Sequence, residues 1–235
     1  MSLLKRLPGV FFEPRPTFEG IAARPVWIDA LVVVLLALIA FNLVVAPLVQ
    51  RDQLSLLKDN AALRERMGED SYAKMIERTE HPSAAGRIVQ TFVITPLYYL
   101  VAILLQSLFL LVLGRFMSTQ GAYVQVLAAL VHASFIDKLL GNAVRLVLGL
   151  TRGSLMQTST GLALLFPNLE VTSTAYIVLA QFDLFQIWMF GVLAFGLAAI
   201  FKVTLKKALV LSYALWFLKA LVNIGMGLIG TAFLR

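Results

Sequence analysis

The residues able to do chemistry in this chain sit in unusual company. His132, Asp137, Lys138, Asn142, Arg145, Asp183, Lys219 and Asn223 all lie within long runs of apolar side chains. Polar groups so placed either carry protons, ions or a polar headgroup along a path, or hold helices in register by pairing. Lys138, Asn142 and Arg145 recur at i, i+4 and i+7 and so share a helical face, and Ser212, Lys219, Asn223 and Gly227 form a similar stripe. Both stripes are expected to face the interior of a helix bundle. Catalytic chemistry is a poorer fit. The two histidines, His81 and His132, are far apart in sequence and there is no cysteine, so neither a metal cluster nor a thiol nucleophile is specified. No HExxH, phosphate-loop or GxSxG motif occurs. An acid pair such as Asp137 and Asp183 could serve intramembrane proteolysis, but the motifs such enzymes use are not recognisable. No enzyme, cofactor or metal is expected.

Composition dictates the elements that carry these residues. Of 235 residues, 60% are hydrophobic and only 14% charged, and the mean hydropathy is +0.85. A bilayer core needs about 20 apolar residues per helix and tolerates no unpaired backbone, so continuous apolar runs specify helices. The expected fold is an all-α integral membrane bundle of five transmembrane helices, at about 25–48, 88–113, 123–150, 175–201 and 208–234. Residues 1–24 read as an amphipathic leader, and 25–235 as a single transmembrane domain with a polar insert at 51–87. In the leader, Leu3, Leu4, Leu7, Phe11 and Phe12 are suited to the headgroup region beside Lys5 and Arg6. Thr17 is placed to cap a short helix with Phe18 and Ile21 on one face. The insert holds seven basic and seven acidic residues and reads as a helix to about Met67, a break at Gly68 and a second helix over Ser71–Glu77. It is either a solvated hairpin or a docking surface. Leu162–Phe166 is too short to span and reads as interfacial.

The lipid bilayer is the one certain partner. The net charge of +7 reflects orientation and anionic lipid, not nucleic acid. Lys5, Arg6, Arg15 and Arg24, with Lys202, Lys206 and Lys207, favour a cytoplasmic N-terminus over the side bearing Arg152 and Arg235. The insert's basic residues oppose that count, and the C-terminus then lies outside. A rise of about 1.5 Å per residue puts His132 about 14 Å, Lys219 about 17 Å and Asp137 about 21 Å from their helix ends, with Lys138, Asp183 and Arg145 progressively farther. Asp137 and Lys219 are thus candidates to pair, and Asp183 can pair with Lys138 or Arg145.

Two stretches carry a family likeness. One is Phe11-Phe12-Glu13-Pro14-Arg15-Pro16-Thr17-Phe18, followed by Ile21 and Pro25-Val26-Trp27. The other is Phe182-Asp183-Leu184-Phe185-Gln186-Ile187-Trp188, followed by Gly196, Lys202 and Lys207. Together they resemble the Yip (Ypt/Rab-interacting protein) family in its prokaryotic branch, with Pro14, Phe18, Pro25, Asp183, Trp188, Gly196, Lys202 and Lys207 as the signature. The resemblance implies five membrane helices and a cytoplasmic N-terminus. In eukaryotes the family is linked to Rab-type GTPases and vesicle formation. Near Ile136-Asp137, where the family would place a proline, this chain has an acid. The function expected is a non-catalytic scaffold or adaptor in a bacterial inner membrane, binding a partner such as a transporter or trafficking factor, or itself. The alternative is a small channel, transporter or lipid-moving protein that uses the intramembrane charges.

Overall fold

Long apolar segments and satisfied backbone groups leave helix as the one regular structure, and every long element of the computed structural model is a helix. It describes residues 1–58, 60–156 and 160–234; Arg235 of the orientation count lies outside the described residues. The helices are α1 (Leu3–Phe12), α2 (Pro14–Ala23), α3 (Ile28–Lys58), α4 (Ala61–Met67) and α5 (Glu69–Glu80). They continue with α6 (Ala84–Arg115) and α7 (Tyr123–Arg152), then α8 (Thr174–Leu179), α9 (Leu184–Phe201) and α10 (Leu205–Leu234). Five of them, α3, α6, α7, α9 and α10, are long and apolar enough to cross a membrane.

Several boundaries differ from the sequence reading, each for a local reason. The helix of the leader begins at Pro14, not after Thr17. Proline at the first helical position sacrifices only an N–H that has no partner there, and Thr17 becomes a buried helical residue. The first helix expected in the insert, to about Met67, is divided: residues 51–58 continue α3, and α4 starts at Ala61 behind Asn60, whose side chain accepts the Leu63 amide. Gly68 at φ 75° separates α4 from α5. The fourth predicted span is two helices: it is interrupted between Leu179 and Leu184, and Asp183 lies in the interruption, not inside a helix.

Two membrane helices contain π turns. In α6 the turn at Gln90–Ile94 precedes Pro96. A proline ring clashes with the carbonyl four residues back, and a wider turn relieves that clash. Thr95 Oγ1 donates to Gln90 O at 2.9 Å, occupying a carbonyl there. In α7 the turn is Ile136–Gly141, where the family resemblance anticipates proline.

The chain divides into two compact units, one comprising Met1–Leu38, Pro96–Asn142 and Leu184–Ala220, the other Ile39–Thr95, Ala143–Asp183 and the chain from Leu221. In the first, α1 and α2 pack on α7 and α9. Phe18, Phe135, Phe190 and Phe201 are fully buried in its core. Gln125 Nε2 donates to Ala22 O at 2.7 Å, which ties the end of α2 to the first turn of α7. Gly196 lets α9 approach: a Cβ there would lie 2.8 Å from Phe18 Cδ1 and 2.9 Å from Ala129 Cβ.

In the second unit, α5 folds back along the end of α3. Gln50 Nε2 donates to the carbonyls of Thr79 and Glu80 at 3.0 and 2.7 Å, Tyr72 Oη donates to Leu57 O at 2.8 Å, and Lys58 pairs with Glu80. Asp52 accepts the amides of Leu155 and Met156 at 2.7 and 2.9 Å and so anchors the loop after α7. The Leu162–Leu165 segment is a short 3-10 helix with Leu162, Leu164 and Leu165 exposed.

The Gly196 contact yields a direct expectation. Gly196→Leu should destabilise the folded protein by about 1–3 kcal/mol through overpacking against Phe18, seen as a lower thermal midpoint in detergent. An unchanged midpoint would show that α2 and α9 are not held at this distance.

Candidate functional site

Three polar centres lie within the helices. The first was not anticipated from the sequence. Arg6 and Lys5 are neighbours on α1, yet Lys5 is exposed while Arg6 is only 4% exposed. Arg6 Nη1 donates to Val26 O at 3.0 Å and to Asp29 Oδ1 at 3.3 Å, and Nη2 pairs with Asp29 Oδ2. Arg6 Nη1 also lies 2.7 Å from His132 Nε2, and His132 Nδ1 lies 2.7 Å from Ala128 O. A guanidinium only donates and a carbonyl only accepts. Nε2 must therefore accept and Nδ1 must carry the proton, so His132 is a neutral ring in this arrangement. Its ring meets Phe135 edge-on, with centroids 5.5 Å apart. The missed signal was Asp29, an acid in the first turn of a charge-free apolar run, which calls for a cation at its own level.

The second centre lies around the π turn of α7. Asp137 is buried and takes Lys138 Nζ at 2.6 Å. Asn142 is buried one turn on. Lys219 Nζ donates to Gln186 Oε1 at 2.8 Å. The partner seen for Asp137 is thus its chain neighbour, and that seen for Lys219 is an amide on α9. Asn223 Nδ2, in the second unit, donates to Gln181 Oε1 at 3.1 Å.

The third centre is in the second unit. Of the two partners considered for Asp183, the structure supplies Arg145, with Nη2 to Oδ2 at 3.0 Å. Arg145 Nε also donates to Thr160 Oγ1 at 3.1 Å, and Thr160 Oγ1 donates to Asp183. The backbone joins in. Asp183 and Gly161 form an antiparallel bridge, and Leu162 N donates to Phe182 O at 3.2 Å. The break before α9 is therefore the point where the returning loop is fixed to α7.

A cavity of about 1140 Å³ opens in the second unit, lined by Ser55, Asn60, Arg152, Phe166, Glu170 and Tyr176 among others. Tyr176 Oη donates to Met156 O at 2.6 Å, and burial pushes its phenol above the usual range. On the insert, hydrogen bonds from Arg64 and Lys58 hold the Glu69 and Glu80 carboxyls below their usual range. Glu65, Arg66, Asp70, Lys74, Glu77 and Arg78 point outward.

The signature residues serve packing and chain direction. Phe18 is buried, and Trp188 is partly exposed with Phe11 edge-on at 6.1 Å. Pro14 opens α2, and Pro25 lies between α2 and α3. Lys202 follows the last residue of α9 at φ 54°, a left-handed conformation that ends a helix, and Lys207 is exposed on the first turns of α10.

A family model described as the Yip1 domain matches residues 9–226. No curated protein and no solved structure matches the chain.

The Arg145–Asp183 geometry sets a stability test. Arg145→Met, which strands a buried carboxylate, should cost about 3–5 kcal/mol, whereas Arg145→Met with Asp183→Leu should cost clearly less than the sum of the singles. Unfolding of the four proteins in detergent measures this, and additive losses would contradict the pairing.

Proposed function

Since the chain belongs to the Yip1-domain family, an integral membrane family, we propose that it is a non-catalytic scaffold or adaptor that binds a membrane-protein partner or a second copy of itself. The observation that carries this reading is a division between two sets of charges. Those in or against the membrane helices have partners inside the chain: Arg6 with Asp29, Asp137 with Lys138, Arg145 with Asp183, and Lys219 with Gln186. Those on the insert are displayed. Glu65, Arg66, Asp70, Lys74, Glu77 and Arg78 lie exposed on short helices that are anchored at Gln50, Leu57 and Lys58. A fixed scaffold presenting mixed charge suits electrostatically selected docking.

Transport would need a charge free to exchange partners along a path, and the pairings favour register over conduction. The membrane is assigned as a bacterial inner membrane, with the N-terminus cytoplasmic and the insert on the opposite side. The short basic flanks support that orientation. The Rab-type GTPase link of eukaryotic members rests on fold-level analogy and is not extended to this chain.

Affinity purification of the full chain in native lipid, followed by mass spectrometry, tests the reading. A stoichiometric protein should co-purify with the wild type. It should be lost when Arg66, Lys74 and Arg78 are changed to Glu, while the protein's own melting temperature stays unchanged. A chain that purifies alone, or a partner indifferent to these changes, would contradict docking through the insert.

A further inference from the structure

We propose that the recess between α1, the end of α2 and the start of α3 binds a phosphate-class anion, namely the phosphodiester headgroup of an anionic lipid. A cavity of about 250 Å³ lies there, lined by Ser2, Arg6, Gly20, Arg24, Val26 and Asp29 among others. Its chemistry is lopsided. Asp29 is already engaged by both Nη atoms of Arg6. Arg6 Nε is buried and finds no acceptor among the described residues. A buried donor left without a partner is costly, so an acceptor drawn in beside Arg6 is favoured. Arg24 is exposed, and its guanidinium makes no ion pair among the described residues. Two arginines, Arg6 and Arg24, thus line the recess against a single carboxylate, Asp29. The recess offers the guanidinium of Arg24 and the hydroxyl of Ser2 as donors, beside the Arg6 side chain that also lines it. Arginine is the side chain best matched to two oxygens of one phosphate.

Position selects the lipid as the source of that phosphate. The recess borders Val26 and Asp29, on either side of Trp27 and at the first turn of the α3 span. Tryptophan and the ends of apolar runs mark headgroup depth. On α1, Leu4 is 85% and Phe12 84% exposed, which leaves apolar surface beside the recess for acyl chains. The inference does not depend on the adaptor reading and stands if no protein partner exists.

The test uses the full chain in nanodiscs of phosphatidylcholine containing phosphatidylglycerol, with native mass spectrometry of retained lipid. A parallel arm follows thermal melting in detergent with inorganic phosphate. Wild type should retain phosphatidylglycerol above its bulk proportion, and Lys5→Gln, which removes an exposed cation of α1 that does not line the recess, should match it. Arg24→Gln should lose about tenfold of the enrichment, equivalent to about 1.4 kcal/mol, while melting normally without ligand. Equal enrichment in Arg24→Gln and wild type, or equal losses in Arg24→Gln and Lys5→Gln, overturns the site. Stabilisation by inorganic phosphate that depends on Arg24, with no lipid enriched, overturns the lipid as the source.

Discussion

A charge carried below the headgroups must find a partner, and most of the structure follows from how this chain meets that requirement. Water is not there to solvate it, so an unpaired ion at that depth is costly. Each solution links segments distant in sequence or fixes an irregular one. At the headgroup edge of the α3 span, buried by the protein itself, Arg6 brings the leader to Asp29 and to His132 on α7. Arg145 holds the break before α9 through Asp183. These pairs act as fasteners. Their net energetic value is modest, because desolvation offsets most of the attraction, but breaking one leaves the other ion stranded. They specify which segments meet more than they add to stability.

The fasteners also explain why regular helix is abandoned where it is. Asp183 gives up helical geometry, and its backbone pairs with Gly161 while its carboxylate takes Arg145 and Thr160. The π turn of α7 begins at Ile136, beside buried Asp137 and its partner Lys138. In α6 the wider turn accommodates Pro96 instead. Departures of this kind survive at membrane depth only where neighbouring groups satisfy the freed backbone.

Much of this was legible in the sequence. Length and apolarity give five spans because the bilayer tolerates so few alternatives, and the Phe11–Phe18 and Phe182–Trp188 stretches point to the family. Comparing depths narrowed the partner of Asp183 to Lys138 or Arg145, and the structure supplies Arg145. Other features were hidden. Asp183 lies in an apolar run that reads as unbroken helix, and the break depends on a strand-like contact with Gly161 that no local pattern encodes. Arg6 reads as one more basic flank residue; its burial depends on α1 folding back beside α7. Residues 51–58 continue α3 instead of forming one helix with α4, and there Gln50, Leu57 and Lys58 receive α5, contacts between segments that no local pattern encodes. Gly196 and Gly227 face Phe18 and Ile177 closely, whereas Gly225 and Gly230 have open space around them.

The central claim is that the intramembrane charges fasten the fold and do not conduct. Proton and monovalent-ion flux through purified protein in sealed liposomes, with a membrane potential applied, tests it most directly. The account predicts flux no higher than in protein-free liposomes, for wild type and for Asp137→Asn and Asp183→Asn alike. Flux in the wild type that disappears in either variant, with the variant protein still folded and inserted, would contradict it.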